Sequence, residues 1–98
     1  MKNLKVKFGA NPFGDTKEEL LKNAERRLAT NYDDNGSGFK VYQYIMEHGD
    51  GCVLEYEENP YEQNPEDAEM YFGLIALEHM GYIKHKEANI IEFRPCGR

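Results

Sequence analysis

The stretch NPEDAEMYFGLIALEHMGYIK, residues 64–84, carries the clearest helix signals in the chain. Asn64 is a preferred N-cap residue, Pro65 suits the first helical position, and acidic residues follow where the helix dipole is positive. Gly81 is of the type that ends a helix. The pattern therefore predicts a central helix from Pro65 to about Met80. Its wide apolar face consists of Ala68, Tyr71, Phe72, Leu74, Ile75 and Leu77.

Strand patterns lie on both sides of this predicted helix. Before it, residues 52–57 (CVLEYE) alternate imperfectly between apolar and polar side chains and predict a short strand. After it, Tyr82 and Ile83 begin a second strand, and residues 90–93 form a third before Pro95. The polar residues 85–89 between them predict the turn of a hairpin.

The first half of the chain predicts one more strand and two more helices. Residues 4–8 alternate between apolar and lysine side chains, as in a half-buried strand. Thr16 and Glu19 have the spacing of a capping box, and an amphipathic helix follows to Thr30. We expect Ser37 to cap the next helix, which ends near Gly49.

These elements predict a single α+β domain, because 98 residues support one core. Its expected architecture is three helices with an antiparallel sheet or wing of three to four strands. Residues 1–30 supply a strand and a helix, residues 31–38 are a flexible connection, and residues 39–95 form the remaining part. The start of the chain has no secretory signal and no run of spanning length, so we expect a cytoplasmic protein without membrane contact.

The order of elements in residues 39–95 resembles a winged-helix domain. The segment LEHMGYIK, residues 77–84, is similar to the end of a recognition helix that enters its first wing strand. This resemblance implies a regulator that binds duplex DNA as a dimer. The DNA contacts would come from wing bases and the first helix: Lys84, Lys86, Arg94, Arg98, Arg26 and Arg27. The predicted recognition helix has four carboxylates and no Lys or Arg, however, so DNA binding is the alternative interpretation.

Charge is unevenly distributed along the chain. The net charge is -6, but residues 41–82 hold ten carboxylates and no Lys or Arg, which gives this segment -10. The remaining residues hold eight carboxylates and twelve bases and sum to +4. Six of the seven tyrosines also lie in the acidic segment. Tyrosine is favoured where an interface becomes buried, so acid and aromatic side chains together indicate a surface for a basic partner.

The function that we predict from this pattern is that of a non-enzymatic, acidic protein-binding module. Its partner would be a larger protein with a basic, nucleic-acid-binding groove, such as a CRISPR effector or a restriction enzyme. In size and acidity the chain is similar to phage-encoded inhibitors, including anti-CRISPR and anti-restriction proteins. A blander alternative is an acidic face that only keeps the protein solvated. The candidate contact residues are Glu55, Glu57, Glu58, Tyr61, Glu62, Glu66, Asp67 and Glu69.

The sequence contains no pattern that indicates an enzyme, and we expect neither a cofactor nor a metal site. Cys52 and Cys96 have no metal-ligand spacing, and the three histidines are dispersed. Cys52 lies in the acidic segment, which disfavours the thiolate that a nucleophile needs. No glycine-rich phosphate loop follows a predicted strand into a helix.

Overall fold

A computed structural model of the chain describes residues 2–11, 14–30, 36–57 and 64–97. Within these ranges there are three helices and four strands, so the predicted α+β class is confirmed. Part of the predicted flexible connection, residues 31–35, lies outside the described residues. In chain order the elements are β1 (Lys2–Phe8), α1 (Lys17–Thr30), α2 (Ser37–His48), β2 (Val53–Tyr56), α3 (Pro65–His79), β3 (Ile83–Glu87) and β4 (Ile90–Phe93).

Local capping rules explain where α1 and α3 begin. The Glu19 backbone N–H donates to the Thr16 hydroxyl at 3.2 Å, and the Thr16 backbone N–H donates to the Glu19 carboxylate at 3.2 Å. These two bonds make up the predicted capping box. The Asn64 side chain accepts from the Asp67 backbone N–H at 2.8 Å, as expected of an N-cap.

The predicted cap of α2 is wrong. Ser37 is already the first helical residue, so it does not occupy the N-cap position. Gly36 holds the N-cap position with a φ of 74°, a left-handed conformation that glycine adopts without the steric penalty of a Cβ atom. The predicted end of α2 is confirmed, since Gly49 follows the helix directly.

The strands form one mixed sheet in the order β2-β1-β4-β3. β1 pairs antiparallel with β2 but parallel with β4. The prediction of an antiparallel sheet is therefore wrong for the β1–β4 pair. β3 and β4 form the predicted hairpin. The expected break at residues 85–89 is too long, because β3 continues through a bulge to Glu87 and only residues 88–89 form the turn.

The order α2, β2, α3, β3, β4 is the order on which the winged-helix resemblance rests. β2 does not join the hairpin, because β1 lies between β2 and β4. β1 comes from the N-terminal part of the chain, outside residues 39–95. The sheet is therefore built from both ends of the sequence.

All three helices pack on one face of the sheet, and the core lies between the two layers. The inward-facing strand residues are Leu4, Val6, Leu54, Tyr56, Ile83, Ile91 and Phe93. Tyr42 of α2 lies at the centre of this core, where its hydroxyl donates to the Pro95 carbonyl at 2.6 Å. The Tyr42 ring meets those of Tyr82 and Phe93 at centroid distances of 5.3 and 5.2 Å. Burial raises the pKa of both tyrosines.

A glycine allows α2 and α3 to approach closely. A Cβ atom on Gly73 would overlap the Val41 side chain and lie 2.6 Å from the Ser37 carbonyl oxygen. Such a separation is shorter than any ordinary contact of a Cβ atom. Gly73 thereby fixes which face of α3 packs on α2 and which face is left free.

Candidate functional site

α3 has apolar residues on both of its faces, but within the described residues only one of these faces is buried. Its buried residues are Gly73, Leu74, Ala76 and Leu77. The opposite side is what we call the free face of α3: Ala68, Phe72 and Ile75, spaced by four and three residues. This spacing places all three side chains on one stripe of a helix.

Phe72 is the most exposed feature of this stripe. Its exposed fraction is 59%, the largest among the big hydrophobic side chains in the described ranges. Phe72 belongs to the wide apolar face that the sequence predicts for α3, yet most of its side chain is exposed. The apolar residues of α3 extend further around the helix than α2 and the sheet can cover.

Phe72 is supported from below by a row of aromatic rings. Its ring meets the Tyr71 ring edge-on, with centroids 5.5 Å apart. The Tyr71 ring in turn lies near the ring of the buried Tyr56 of β2, with centroids 6.4 Å apart. The row runs from the core to the surface and limits the positions that the exposed ring can take.

Carboxylates lie near both ends of α3. Glu66 and Asp67 are in the first turn of α3, and Glu69 follows one turn later. Glu78 is in the last turn, with its carboxylate 3.1 Å from His85. α3 itself carries no Lys or Arg, and Lys40 of α2 lies 3.3 Å from Glu69. The helix that carries the free face thus has acidic ends.

The structure brings together some of the predicted contact residues and separates another. Glu66, Asp67 and Glu69 all lie near the start of α3. Glu55 is paired in register with Asn3 and projects from the uncovered side of the sheet, opposite the helices. Glu57 directly follows β2 and is partly buried. Three further candidates, Glu58, Tyr61 and Glu62, lie outside the described residues.

Phe72 was not among the predicted contact residues, although the sequence carries a signal for it. A helix that is apolar around most of its circumference is normally buried on all sides. A domain of 98 residues with two other predicted helices cannot surround it. The helix therefore has more apolar side chains than the rest of the domain can cover, and this excess is the signal that points to Phe72.

The comparisons identify no relative. No family model, no curated protein and no solved structure matches this chain.

The cysteines lie in settings that disfavour nucleophilic chemistry. Cys96 lines a surface cavity of about 340 Å³, and its thiol donates to the Asn11 side-chain oxygen at 3.0 Å. Burial and the nearby Asp15 carboxylate raise the pKa of Cys96, and burial raises that of Cys52. A raised pKa keeps a thiol protonated and weakly nucleophilic.

The described ranges hold neither a metal-binding cluster nor a membrane-spanning helix. No group of three or more His, Cys, Asp or Glu residues there is placed to hold a metal ion. None of the helices in those ranges combines the length and apolar character that crossing a membrane requires.

Proposed function

We propose that this chain is a non-enzymatic, acidic protein-binding module that docks the free face of α3 onto a basic surface of a larger protein. The observation that carries the proposal is the exposed Phe72 ring, set between acidic helix ends. An aromatic anchor in a polar rim is the usual anatomy of a protein interface. Because the ends of α3 are acidic, we expect the partner surface to be basic.

Burial of Phe72 supplies a driving force for docking. Complete burial of a phenylalanine side chain stabilises by roughly 1.5–3 kcal/mol, and more than half of this side chain is still exposed. An interface that covered the ring would therefore gain about 1–2 kcal/mol from Phe72 alone. Ile75, half-buried on the same stripe, would add to it.

The charges on α3 favour a basic partner over a second copy of the chain. Two copies that met through α3 would bring together two helices that each carry four carboxylates and no Lys or Arg. Like charges across an interface oppose association, whereas a partner rich in Lys and Arg is attracted and steered. The net charge of -6 acts in the same direction.

Protein surfaces that hold nucleic acid are the natural candidates for this partner. They are strongly basic because they neutralise phosphates. Glu66 and Glu69 are three residues apart on α3, and side chains at this spacing lie about 5–6 Å apart at their Cβ atoms. Such a pair of carboxylates can occupy positions that phosphates otherwise take. A nuclease, a restriction enzyme or a CRISPR effector is therefore the partner class that we propose.

A recognition role for α3 in a DNA major groove fits less well. A recognition helix faces phosphates and base edges and normally brings basic residues to them. α3 instead presents Phe72 and carboxylates.

The proposal is tested by pull-downs of tagged protein from host lysate at low and moderate salt. Phe72→Ser removes the aromatic anchor, and Val53→Ser is the matched control, since Val53 is 45% exposed but lies on the other side of the molecule. We expect a nucleic-acid enzyme to be retained by the wild type and by Val53→Ser, to be lost with Phe72→Ser, and to be displaced by duplex DNA.

A second pair of variants tests the role of charge. Glu66→Gln/Glu69→Gln/Glu78→Gln removes negative charge from both ends of α3. The control, Glu18→Gln/Glu25→Gln/Glu47→Gln, makes the same change in net charge on α1 and α2. With the first set, retention of the partner should be weaker and should depend less on salt concentration than with the wild type. With the control, both should be unchanged. Equal retention by the two sets would contradict the electrostatic part of the proposal.

A further inference from the structure

The side of the sheet that faces away from the helices, which we call the open face, is rich in lysine. Lys5 and Lys7 project from β1, and Lys84 projects from β3. In the strand register Lys7 is beside Glu92, and Glu92 is beside Lys84. Lys7 and Lys84 therefore flank a single carboxylate on the strand between them, and Lys5, two residues before Lys7 on β1, is beside Ile90. All three lysines are exposed.

Glu92 is already occupied by other cations. Its carboxylate lies 3.3 Å from the Lys86 ammonium and accepts a hydrogen bond from the Arg94 guanidinium. These hydrogen bonds, from Arg94 first and then Lys86, hold the pKa of Glu92 below its ordinary value. Within the described part of the chain, Lys5, Lys7 and Lys84 form no ion pair.

We propose that the open face binds the phosphate backbone of a nucleic-acid duplex through Lys5, Lys7 and Lys84. Adjacent strands lie about 4.8 Å apart, so β1 and β3, separated by β4, are about 10 Å apart. Lys5 and Lys7 are about 6.8 Å apart along β1. The three ammonium groups thus form a basic patch that can neutralise about three phosphates.

The other side chains of the open face favour a duplex over a single strand or a membrane. Among the outward positions of the four strands there is no aromatic ring, and the apolar ones are Val53 and Ile90. Single-strand binding proteins stack bases on aromatic side chains, and membrane-surface proteins insert large apolar side chains. A duplex needs neither, because its bases remain paired and its phosphates face outward.

The negative net charge of the chain does not prevent this binding. The carboxylates of α3 lie on the other side of the sheet, and charges further apart than about 8 Å are largely screened at physiological ionic strength. Glu55 and Glu87 are on the open face itself, at β2 and at the end of β3. These two carboxylates confine the basic patch to the part of the open face where the three lysines lie.

The proposed duplex surface is independent of the proposed protein-binding surface. The free face of α3 and the open face of the sheet are on opposite sides of the molecule and share no residue. Variants of one face should leave the other activity intact, so the two proposals can fail separately.

Fluorescence anisotropy with a labelled DNA duplex tests the inference. For the wild type we expect the weak affinity of non-specific binding, a Kd of about 10⁻⁴–10⁻⁶ M at physiological salt. Neutralisation of about three phosphates gives a slope near -2.7 for log affinity against log salt concentration. Lys5→Gln/Lys7→Gln/Lys84→Gln should lower the affinity at least tenfold at low salt and flatten this slope.

A control with the same net charge separates the patch from overall electrostatics. Lys17→Gln/Lys22→Gln/Lys40→Gln removes three exposed lysines of α1 and α2 and should change the affinity less than twofold. Circular dichroism establishes that both triple variants are folded.

Several results would overturn the inference. These are absence of wild-type binding, equal losses in the two triple variants, and a single strand bound as tightly as the duplex. Tighter binding to phosphatidylserine vesicles than to the duplex would also overturn it, because the open face would then be a membrane surface.

Discussion

The free face of α3 and the open face of the sheet are both uncovered within the described part of the chain, yet their chemistry differs. The open face has lysines at its outward positions and a carboxylate that is hydrogen-bonded by two cations. The free face of α3 has Phe72 and Ile75 at its centre. Lysine side chains are well solvated in water, whereas burial of an exposed aromatic ring is favourable. This difference is the reason that we propose α3, and not the sheet, as the protein-binding side.

The largest expected effect separates the two sides of α3. Leu77 is fully buried, so Leu77→Ala should lower the free energy of unfolding by about 2–5 kcal/mol through lost burial and a cavity. Phe72→Ala, on the free face, should change it by about 0.5 kcal/mol or less. Urea denaturation of both variants measures the difference. A loss of several kcal/mol with Phe72→Ala would mean that the ring belongs to the core of this chain.

The next effect concerns the contact that sets which side of α3 is free. Gly73→Ala places a methyl group against Val41 and the Ser37 carbonyl. Overpacking of this kind costs about 1–3 kcal/mol, which outweighs a gain of at most about 1 kcal/mol in helix propensity. Thermal denaturation should show a lower Tm. An unchanged or higher Tm would show that α2 and α3 are not in close contact.

A smaller effect is expected from loss of the buried hydrogen bond between the Tyr42 hydroxyl and the Pro95 carbonyl. Tyr42→Phe removes the donor to the Pro95 carbonyl and should lower the free energy of unfolding by about 1–2 kcal/mol. The measurement is urea denaturation at neutral pH, with Tyr44→Phe, an exposed tyrosine of the same helix, as the control. Equal small losses in both variants would contradict a structural role for the Tyr42 hydroxyl.

The same tyrosine predicts a pH dependence. Burial raises the pKa of Tyr42 in the folded state above the unfolded value of about 10. The folded state therefore holds its proton where the unfolded state releases it, so stability is retained below about pH 10 and falls as the pH rises above it. Denaturation between about pH 9 and pH 11 should show this decline, and Tyr42→Phe should make it shallower.

The smallest expected effect is on the open face. Lys5→Gln/Lys7→Gln/Lys84→Gln removes exposed charges with no ion pair among the described residues, so the free energy of unfolding should change by about 0.5 kcal/mol or less. Urea denaturation measures it. A loss above 1 kcal/mol would mean that these lysines stabilise the sheet.

Sequence patterns predicted the helices of this fold because the signals for them are local. The capping residues Thr16 and Asn64 bond to groups three residues away, so their roles follow from spacing. Gly36 shows the limit, since it holds the N-cap position one residue before the predicted cap, Ser37. Strand pairing depends on distant segments, and nothing near β1 indicates that it inserts between β2 and β4.

The candidate site was predicted only in part, for the same reason. Glu66, Asp67 and Glu69 are close in the sequence and on one helix, so they were expected to lie together. Glu55 is also close in the sequence, but the alternation of side chains along β2 places it on the open face of the sheet. The exposure of Phe72 depends on how much of α3 the other elements cover, which a hydrophobic pattern does not state.

Site-specific photo-crosslinking tests the central claim most directly, that the free face of α3 is a protein interface. A benzophenone side chain is placed at position 72 and, as the control, at position 53, and the protein is irradiated in host lysate. We predict a discrete crosslink to one nucleic-acid enzyme from position 72 only, lost in the background of Glu66→Gln/Glu69→Gln/Glu78→Gln. No crosslink from position 72, or the same crosslinks from both positions, would contradict the claim.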